Sequence, residues 1–261
     1  MRAMRLQLLS DLHLETEIYT PIPAPDAELL VLAGDIDTRW EALSLFQDWP
    51  VPVLMVAGNH EFDGRELDEA WPALQAHCEA LGIHLLEQRS LILTGDDGRR
   101  IRFCGTVRWS DFDLFGASQR DRALRAAAYF QRLMNSRWRG AAFDAAAVRE
   151  AGLGCRAWLE TVLSEPPQDR WDATCVITHF APSLRSADPR FGKQPGTASF
   201  CCADDDLIER ADLWLHGHLH CRHDYSVPRA GRPPARVVCQ ARGLARKGEA
   251  EGWDGLRVFS V

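Results

Sequence analysis

AELLVLAGDIDTRWEALSLFQDWPVPVLMVAGNHE, residues 27–61, joins two apolar runs through a segment with helical spacing. The runs at 27–35 and 51–61 are rich in Leu and Val and close on glycine-containing turns, which is typical of strands buried on both faces. Between them, residues 39–49 place apolar side chains at helical intervals. A strand, a helix and a second strand in this order predict a parallel βαβ unit of an α/β domain.

The rest of the chain continues the alternation of strands and helices, and we interpret residues 1–261 as a single domain. Residues 116–163 are rich in Ala and Arg and have helical periodicity, so we predict two or three helices there that form an insertion or cap. The other predicted elements are a helix at 65–80, strands at 5–11, 83–86, 90–93, 100–104, 173–180, 212–220, 234–240 and 255–261, a hairpin turn at 94–99 and a loop at 181–203.

The composition is that of a globular protein with one large core. The 261 residues are 46% hydrophobic, and the formal net charge is −7. This charge disfavours nucleic acid as a partner, because a phosphate backbone attracts positive charge. The N-terminal apolar run is too short for a signal sequence or a membrane span. The eight cysteines are scattered, which predicts buried free thiols in a reducing cytosol.

Five apolar runs end in side chains that bind metals or carry catalysis. In open α/β sheets, ligands bind beyond the carboxyl ends of the strands, so we expect these side chains to converge in one crevice. Each one alone is weak evidence, since an aspartate at a strand end is often only a helix cap. The ordered set is far more specific, and its members are Asp11, His13, Asp35, Asn59, His60, His179, His218 and His220.

These residue types suit two metal ions. Asp-x-His and His-x-His place two side chains on one side of an extended segment, because a strand repeats every two residues. Asp35 has two carboxylate oxygens and is able to bridge two cations, while Asn59 offers a neutral oxygen. Mixed oxygen and nitrogen ligands without thiolate favour manganese, iron, zinc or cobalt. Two metal ions in such a cluster are suited to bind a phosphate group, because phosphate is an anion.

Five short motifs hold these residues, and in chain order they are SDLH (10–13), AGD (33–35), GNHE (58–61), THFAPS (178–183) and HGHLH (216–220). Their order and content resemble the calcineurin-like metallophosphoesterases. The resemblance covers residues 10–220 and is highly specific. It implies a four-layer αββα sandwich of two mixed sheets flanked by helices, with a dinuclear metal site. It assigns no role to residues 116–163.

The resemblance also implies a role for each matched residue. His60 would be the catalytic histidine, which binds no metal and protonates the leaving oxygen. The implied ligands of the first metal ion are Asp11, His13, Asp35 and His220. The implied ligands of the second metal ion are Asp35 again, with Asn59, His179 and His218.

The expected function is that of a cytoplasmic phosphohydrolase that uses two divalent ions, manganese or iron before zinc or cobalt, to activate water for attack on a small phosphoester. A phosphodiester is favoured, because a monoester dianion calls for extra fixed cations and only Arg39 matches the arginines of the Ser/Thr phosphatase branch. A phosphomonoesterase is the alternative. A nuclease and a non-catalytic binding member are favoured less, and no membrane partner is expected.

For each of three features, the sequence is consistent with two interpretations. Arg39 either binds substrate phosphate or is an exposed arginine at a helix start. Asp37 either orients His60 or, as we favour, caps the helix at 39–49. A zinc site that includes Cys201, Cys202 and Cys221 is disfavoured, because their spacing is not that of a zinc finger.

Overall fold

The computed structural model describes residues 3–168 and 170–261 and contains two large β-sheets with helices outside them. Its strands are β1 Arg5–Leu9, β2 Leu29–Ala33, β3 Val53–Val56, β4 Ile83–Leu85, β5 Arg89–Thr94, β6 Arg100–Thr106, β7 Arg137–Trp138, β8 Ala141–Ala142, β9 Ala173–Thr178, β10 Leu213–His216, β11 Arg222–Arg229, β12 Arg232–Gln240 and β13 Val258–Ser260. Its α-helices are α1 Leu67–Ala80, α2 Arg120–Met134, α3 Ala145–Val162 and α4 Asp205–Ile208. Short 3-10 helices lie at Glu41–Phe46, His60–Phe62, Ala117–Gln119, Leu184–Ser186, Pro195–Ser199 and Ala245–Lys247.

The first sheet has the strand order β13-β1-β2-β3-β4. Strands β1 to β4 are parallel to one another, and β13 adds an antiparallel edge. The central strands β2 and β3 are buried along their whole length, as a parallel strand covered on both faces must be. The two strands of the predicted βαβ unit are therefore confirmed.

The connection between β2 and β3 differs from the prediction. A helix over 39–49 was expected, and the chain instead forms the short 3-10 helix Glu41–Phe46. Trp40 lies in the left-handed region at φ 71°, so helical geometry cannot extend back through it.

The second sheet has the strand order β11-β12-β10-β9-β6-β5. Its four central strands are parallel, and its two edge strands are antiparallel to their neighbours. A bridge between Ser10 and Ala241, just beyond β1 and β12, joins the two sheets at the carboxyl ends of those strands. The strand ends of both sheets therefore meet at one edge of the molecule.

Apolar side chains hold the layers together. The two sheets pack through residues that include Leu6, Val31, Leu54, Phe103, Ile177 and Leu215. Helix α1 covers the outer face of the first sheet, and α3 and α4 cover the outer face of the second. The order helix, sheet, sheet, helix confirms the expected four-layer αββα sandwich.

Some strand boundaries were predicted wrongly. The strand expected at 212–220 ends at His216, and the one expected at 173–180 ends at Thr178. Strand β11 was not predicted, because this edge strand is mostly half-buried or exposed and has no apolar run. Residues 116–163 form the expected helices, α2 and α3, and also an unexpected hairpin of β7 and β8 between them.

All eight cysteines are free thiols, and all but Cys221 are buried. Within the described residues, no helix combines the length and the apolar character that crossing a membrane requires.

Candidate functional site

The site residues lie in turns just beyond the strands, and their backbone is unusual. Those with φ between 48° and 72°, the left-handed region, are Asp11, His13, Asp35, His218 and His220. Residues other than glycine enter this region rarely, and such positions gather at functional sites. The prediction that an extended segment aligns each Asp-x-His or His-x-His pair is therefore wrong, because tight turns place these side chains instead.

Two glycines allow these turns to approach one another. Gly34 has φ +85°, and a β-carbon there would collide with the ring of His179. A β-carbon on Gly58 would collide with the carboxylate of Asp35. Both positions require glycine, because each backbone lies directly against a ligand-type side chain.

The first group of ligand-type side chains consists of Asp11, His13, Asp35 and His220, with one donor atom of each within 4.8 Å of all the others. His13 Nε2 and His220 Nε2 face each other at 3.0 Å. His220 Nε2 lies 3.6 Å from Asp11 Oδ1. The backbone amide of His218 donates to both oxygens of Asp11, at 2.9 and 3.0 Å, and fixes that carboxylate.

The second group shares Asp35 with the first and adds His179 and His218. His179 Nε2 lies 3.2 Å from Asp35 Oδ2 and 3.1 Å from His218 Nδ1. Asn59 Oδ1 is 3.2 Å from the same nitrogen of His179. The structure thus brings together the two residue sets that the resemblance implies, with Asp35 between them.

The four histidines of these groups fit the binding of divalent metal ions. Each turns one ring nitrogen into its group and the other toward an oxygen acceptor. The outward contacts are His13 Nδ1 with Glu15 at 3.2 Å, His220 Nδ1 with Glu249 at 2.7 Å, His179 Nδ1 with the Ala33 carbonyl at 2.9 Å and His218 Nε2 with the Ser199 carbonyl at 3.2 Å. Histidine metal ligands are oriented by such outer contacts, and the mixed oxygen and nitrogen donors suit a transition metal.

His60 lies at the open edge of the cluster, with its side chain 40% exposed. Its Nδ1 contacts Asp63 Oδ2 at 2.6 Å, and its Nε2 lies 4.0 Å from Asp35 Oδ2. Asp37, which had been considered as a partner of His60, instead accepts hydrogen bonds from the amides of Arg39 and Ala42. Asp37 therefore caps the local turn, and the carboxylate beside His60 is that of Asp63.

Glu61 stabilises the backbone of the site. The sequence pattern assigned it no role. It is fully buried. Its carboxylate accepts hydrogen bonds from the backbone amides of Gly58 at 2.6 Å, Ile36 at 2.7 Å and Asp35 at 3.0 Å. One side chain thus ties together the two turns that follow β2 and β3.

Burial and charge act in opposite directions on these groups. Burial opposes the charged form of His60, but the carboxylates of Asp35 and Asp63 outweigh it and raise the pKa of His60 to about 10. Burial also opposes the ionised form of Asp35, yet His179 and His60 hold its pKa well below the usual range. For His218, burial and the nearby His179 lower the pKa, which favours the neutral form that binds metals.

Aromatic rings close one side of the site. The His218 ring lies 4.1 Å from Phe180 and 5.0 Å from Phe200, measured between ring centroids. Phe130 of helix α2 contacts Phe200 edge-on at 5.1 Å. Helix α2 is therefore part of the wall of the site.

Arg39 and the cysteines stand apart from the cluster. Arg39 is exposed, and its side chain forms no ion pair with the part of the chain that the structure describes. Cys221 Sγ lies 3.1 Å from His223 Nε2, and neither ligand group found among the described residues includes a cysteine.

Comparison with known proteins identifies a family. A family model described as calcineurin-like phosphoesterase matches residues 4–222. A search of curated proteins finds no match.

Solved structures show the same fold at low sequence identity. A phosphopantetheinyl hydrolase from Mycobacterium tuberculosis superposes with a TM-score of 0.65 at 18% identity, covering 99% of this chain and 96% of its own. A dimetal phosphatase from Danio rerio superposes with a TM-score of 0.52 at 12% identity, covering 91% of this chain and 87% of its own. At these identities the likeness shows the fold alone.

Proposed function

The chain belongs to the calcineurin-like phosphoesterase family, a family of phosphoric ester hydrolases, and on that premise we propose that it is a two-metal phosphodiesterase for small substrates. The observation that carries the proposal is the position of Asp35, which belongs to both groups of ligand-type side chains. A single carboxylate between two groups is what two adjacent metal ions require.

The metal ligands of this proposal divide into two sets. Asp11, His13, Asp35 and His220 hold one divalent ion, and Asp35, Asn59, His179 and His218 hold the other. Two such ions, when bound, supply Lewis-acid activation of water and of the phosphoryl oxygens. The donor set favours manganese or iron, with zinc or cobalt as alternatives.

His60 acts on the leaving group in this proposal. Its Nε2 faces the cluster while Asp63 holds its Nδ1. The Asp63 carboxylate on Nδ1 favours the protonated ring, which carries the proton that a departing alkoxide needs. Glu61 is fully buried and positions Asp35 through its backbone amide.

The choice of a diester over a monoester rests on the charges around the cluster. Among the described residues, no Arg or Lys side chain forms a hydrogen bond or ion pair with the seven proposed ligands. A monoester dianion calls for such fixed cations, whereas a diester monoanion needs fewer. Phosphomonoesters remain the second candidate, and Arg39 is the residue that would serve them.

The test compares kcat/KM for bis-(p-nitrophenyl) phosphate and p-nitrophenyl phosphate with Mn²⁺ present. The two substrates share a leaving group, so the comparison reports mainly on recognition of charge. We expect a higher kcat/KM for the diester than for the monoester, and we expect Arg39→Ala to change either value little. A preference for the monoester that Arg39→Ala abolishes, while the control Arg89→Ala does not, would assign the protein to the phosphatases.

The same assay with Fe²⁺, Zn²⁺ and Co²⁺ identifies the most active metal. A phosphopantetheinyl diester belongs in the substrate panel, because the mycobacterial structure described above is that of a phosphopantetheinyl hydrolase. Its hydrolysis at a higher kcat/KM than that of bis-(p-nitrophenyl) phosphate would narrow the proposed substrate class.

A further inference from the structure

The exposed side of helix α2 combines positive charge with apolar groups. Tyr129 and Leu133 are 57% and 64% exposed, so the helix presents two large side chains to solvent. Arg122, Arg125 and Arg132 are exposed beside them. At 3.6 residues per turn, these five side chains share about a third of the helix circumference. We call these five residues the α2 stripe.

The positive charge of the α2 stripe is largely unpaired. Within the described residues, the side chains of Arg125 and Arg132 form no hydrogen bond or ion pair. Arg122 contacts only Gln119, at 3.3 Å. The helix contains one acidic residue, Asp121, in its first turn. Since the whole chain has a net charge of −7, this concentration of free arginines is a local exception.

The α2 stripe lies on a helix that forms part of the wall of the proposed active site. Tyr129 contacts Phe130, which contacts Phe200, which in turn lies 5.0 Å from the His218 ring. The opposite face of α2 is fixed by burial of Ala123 and Ala127 in the core. A molecule bound to the stripe would therefore lie on the same helix whose Phe130 forms part of the wall of the site, and that helix is anchored in the core.

We propose that the α2 stripe docks an acidic surface of a partner protein and that this partner carries the phosphoester to be hydrolysed. This inference rests on the proposed function, and it attaches the small phosphodiester of that proposal to a protein. Arginine and tyrosine are enriched at the centres of protein interfaces, and rim charges speed association with a partner of opposite sign.

A nucleic acid fits the α2 stripe less well. The affinity of a protein for a polynucleotide backbone rises with the number of phosphates that its cations neutralise. The stripe offers three arginines, and the negative charge of the rest of the chain repels a long polyanion.

The experiment uses a helical peptide in which one serine is linked through a phosphodiester to p-nitrophenol. The peptide is made in a Glu-rich form and in a matched form with Gln in place of Glu. We expect kcat/KM to be about fivefold or more higher for the Glu-rich form, through a lower KM, and to lose this advantage at high salt. Arg125→Glu and Arg132→Glu should each abolish the advantage while leaving kcat/KM for bis-(p-nitrophenyl) phosphate unchanged.

Arg89→Glu, an equal charge change on the edge strand β5, is the matched control and should preserve the advantage. Equal kcat/KM for the two peptides would overturn the inference. So would an advantage that survives both stripe variants, or stripe-dependent cleavage of a single-stranded DNA oligonucleotide without any preference between the peptides.

A failure of the proposed function can be distinguished from a failure of docking on the α2 stripe. If the wild-type protein hydrolyses no diester with any metal, the proposed function fails. Fluorescence anisotropy of labelled Glu-rich and Gln-rich peptides without the ester still tests docking. Tighter binding of the Glu-rich peptide to wild type than to Arg125→Glu would support docking on the α2 stripe. Equal binding to the two proteins would contradict it.

Discussion

His60 Nδ1 lies 2.6 Å from Asp63 Oδ2, while the other ring nitrogen of His60 faces the cluster around Asp35. The pair is three residues apart across the 3-10 turn His60–Phe62. A carboxylate on one nitrogen of an imidazole fixes the ring orientation and directs the other nitrogen to its task. Asp63 is therefore a positioning residue for His60.

His60→Ala should retain the metal ions and lose turnover. The ring lies at the edge of the cluster and is not one of the proposed ligands. We expect kcat to fall about 10²–10⁴-fold, the usual contribution of a general acid or base. The loss should shrink for substrates with good leaving groups, which need no proton. Equal losses over diesters whose leaving groups differ widely in pKa would argue against proton donation.

Asp63→Asn should lower kcat more than it changes KM, because it loosens the His60 ring without touching the proposed ligands. We expect a smaller loss than for His60→Ala, with the same dependence on the leaving group. Asp48→Asn, an exposed carboxylate elsewhere on the chain, is the matched control. An unchanged kcat in Asp63→Asn, or a lost metal ion, would contradict the positioning role.

Gly34→Ala should destabilise the protein and weaken metal binding. Its β-carbon would collide with the His179 ring, in addition to the strain of a positive φ. Gly98→Ala is the matched control, since Gly98 has φ +82° but open space around its Cα. Thermal denaturation and metal analysis of both variants separate the collision from the strain. Equal effects of the two substitutions would show that the packing against His179 is unimportant.

The sequence allowed much of this site to be predicted, because each motif stands at the end of an apolar strand. It could not reveal the supporting carboxylates. Glu249 contacts His220 at 2.7 Å but lies in a loop without a motif, so only the folded chain brings it there. Glu61 was visible within GNHE, yet its bonds to the amide of Ile36 depend on how two turns pack.

The prediction that an extended segment aligns each Asp-x-His or His-x-His pair was wrong for a physical reason. Alternation is a reliable guide within a strand, but β1 ends at Leu9, before Asp11. Beyond that point, backbone hydrogen bonds between turns set the geometry. Asp11 donates its amide to the Gly34 carbonyl at 3.0 Å, and His13 donates to the Asp35 carbonyl at 3.2 Å. Such contacts between distant turns leave no periodic signal in the sequence.

Glu87 should make stability depend on pH. Burial raises its pKa to about 7, although the Val107 amide and the Thr106 hydroxyl donate to it. Because the ordinary glutamate pKa is about 4.3, the folded protein binds more protons than the unfolded chain between these values. Stability therefore falls as pH rises from about 4.3 through 7, by at most about 4 kcal/mol from this group.

Glu87→Gln removes that dependence. Urea denaturation of wild type and variant at pH 5 and pH 8 measures it. We expect the free energy of unfolding of the variant, minus that of the wild type, to be larger at pH 8 than at pH 5. A difference between the two proteins that is the same at both pH values would mean that Glu87 titrates normally.

Asp35 is the proposed bridge between the two metal ions. The residue is 2% exposed, and its carboxylate is the only one shared by both ligand groups found among the described residues. Asp35→Asn keeps the size of the side chain but removes the charge. With Asp48→Asn as the matched control, circular dichroism establishes that each variant is folded.

The most direct measurement is the metal content of purified, Mn²⁺-loaded protein, determined by mass spectrometry alongside hydrolysis of bis-(p-nitrophenyl) phosphate. We expect two metal ions per chain in the wild type and in Asp48→Asn. We expect Asp35→Asn to lose most of its metal and nearly all of its activity. Two ions per chain and full activity in folded Asp35→Asn would contradict the bridging role.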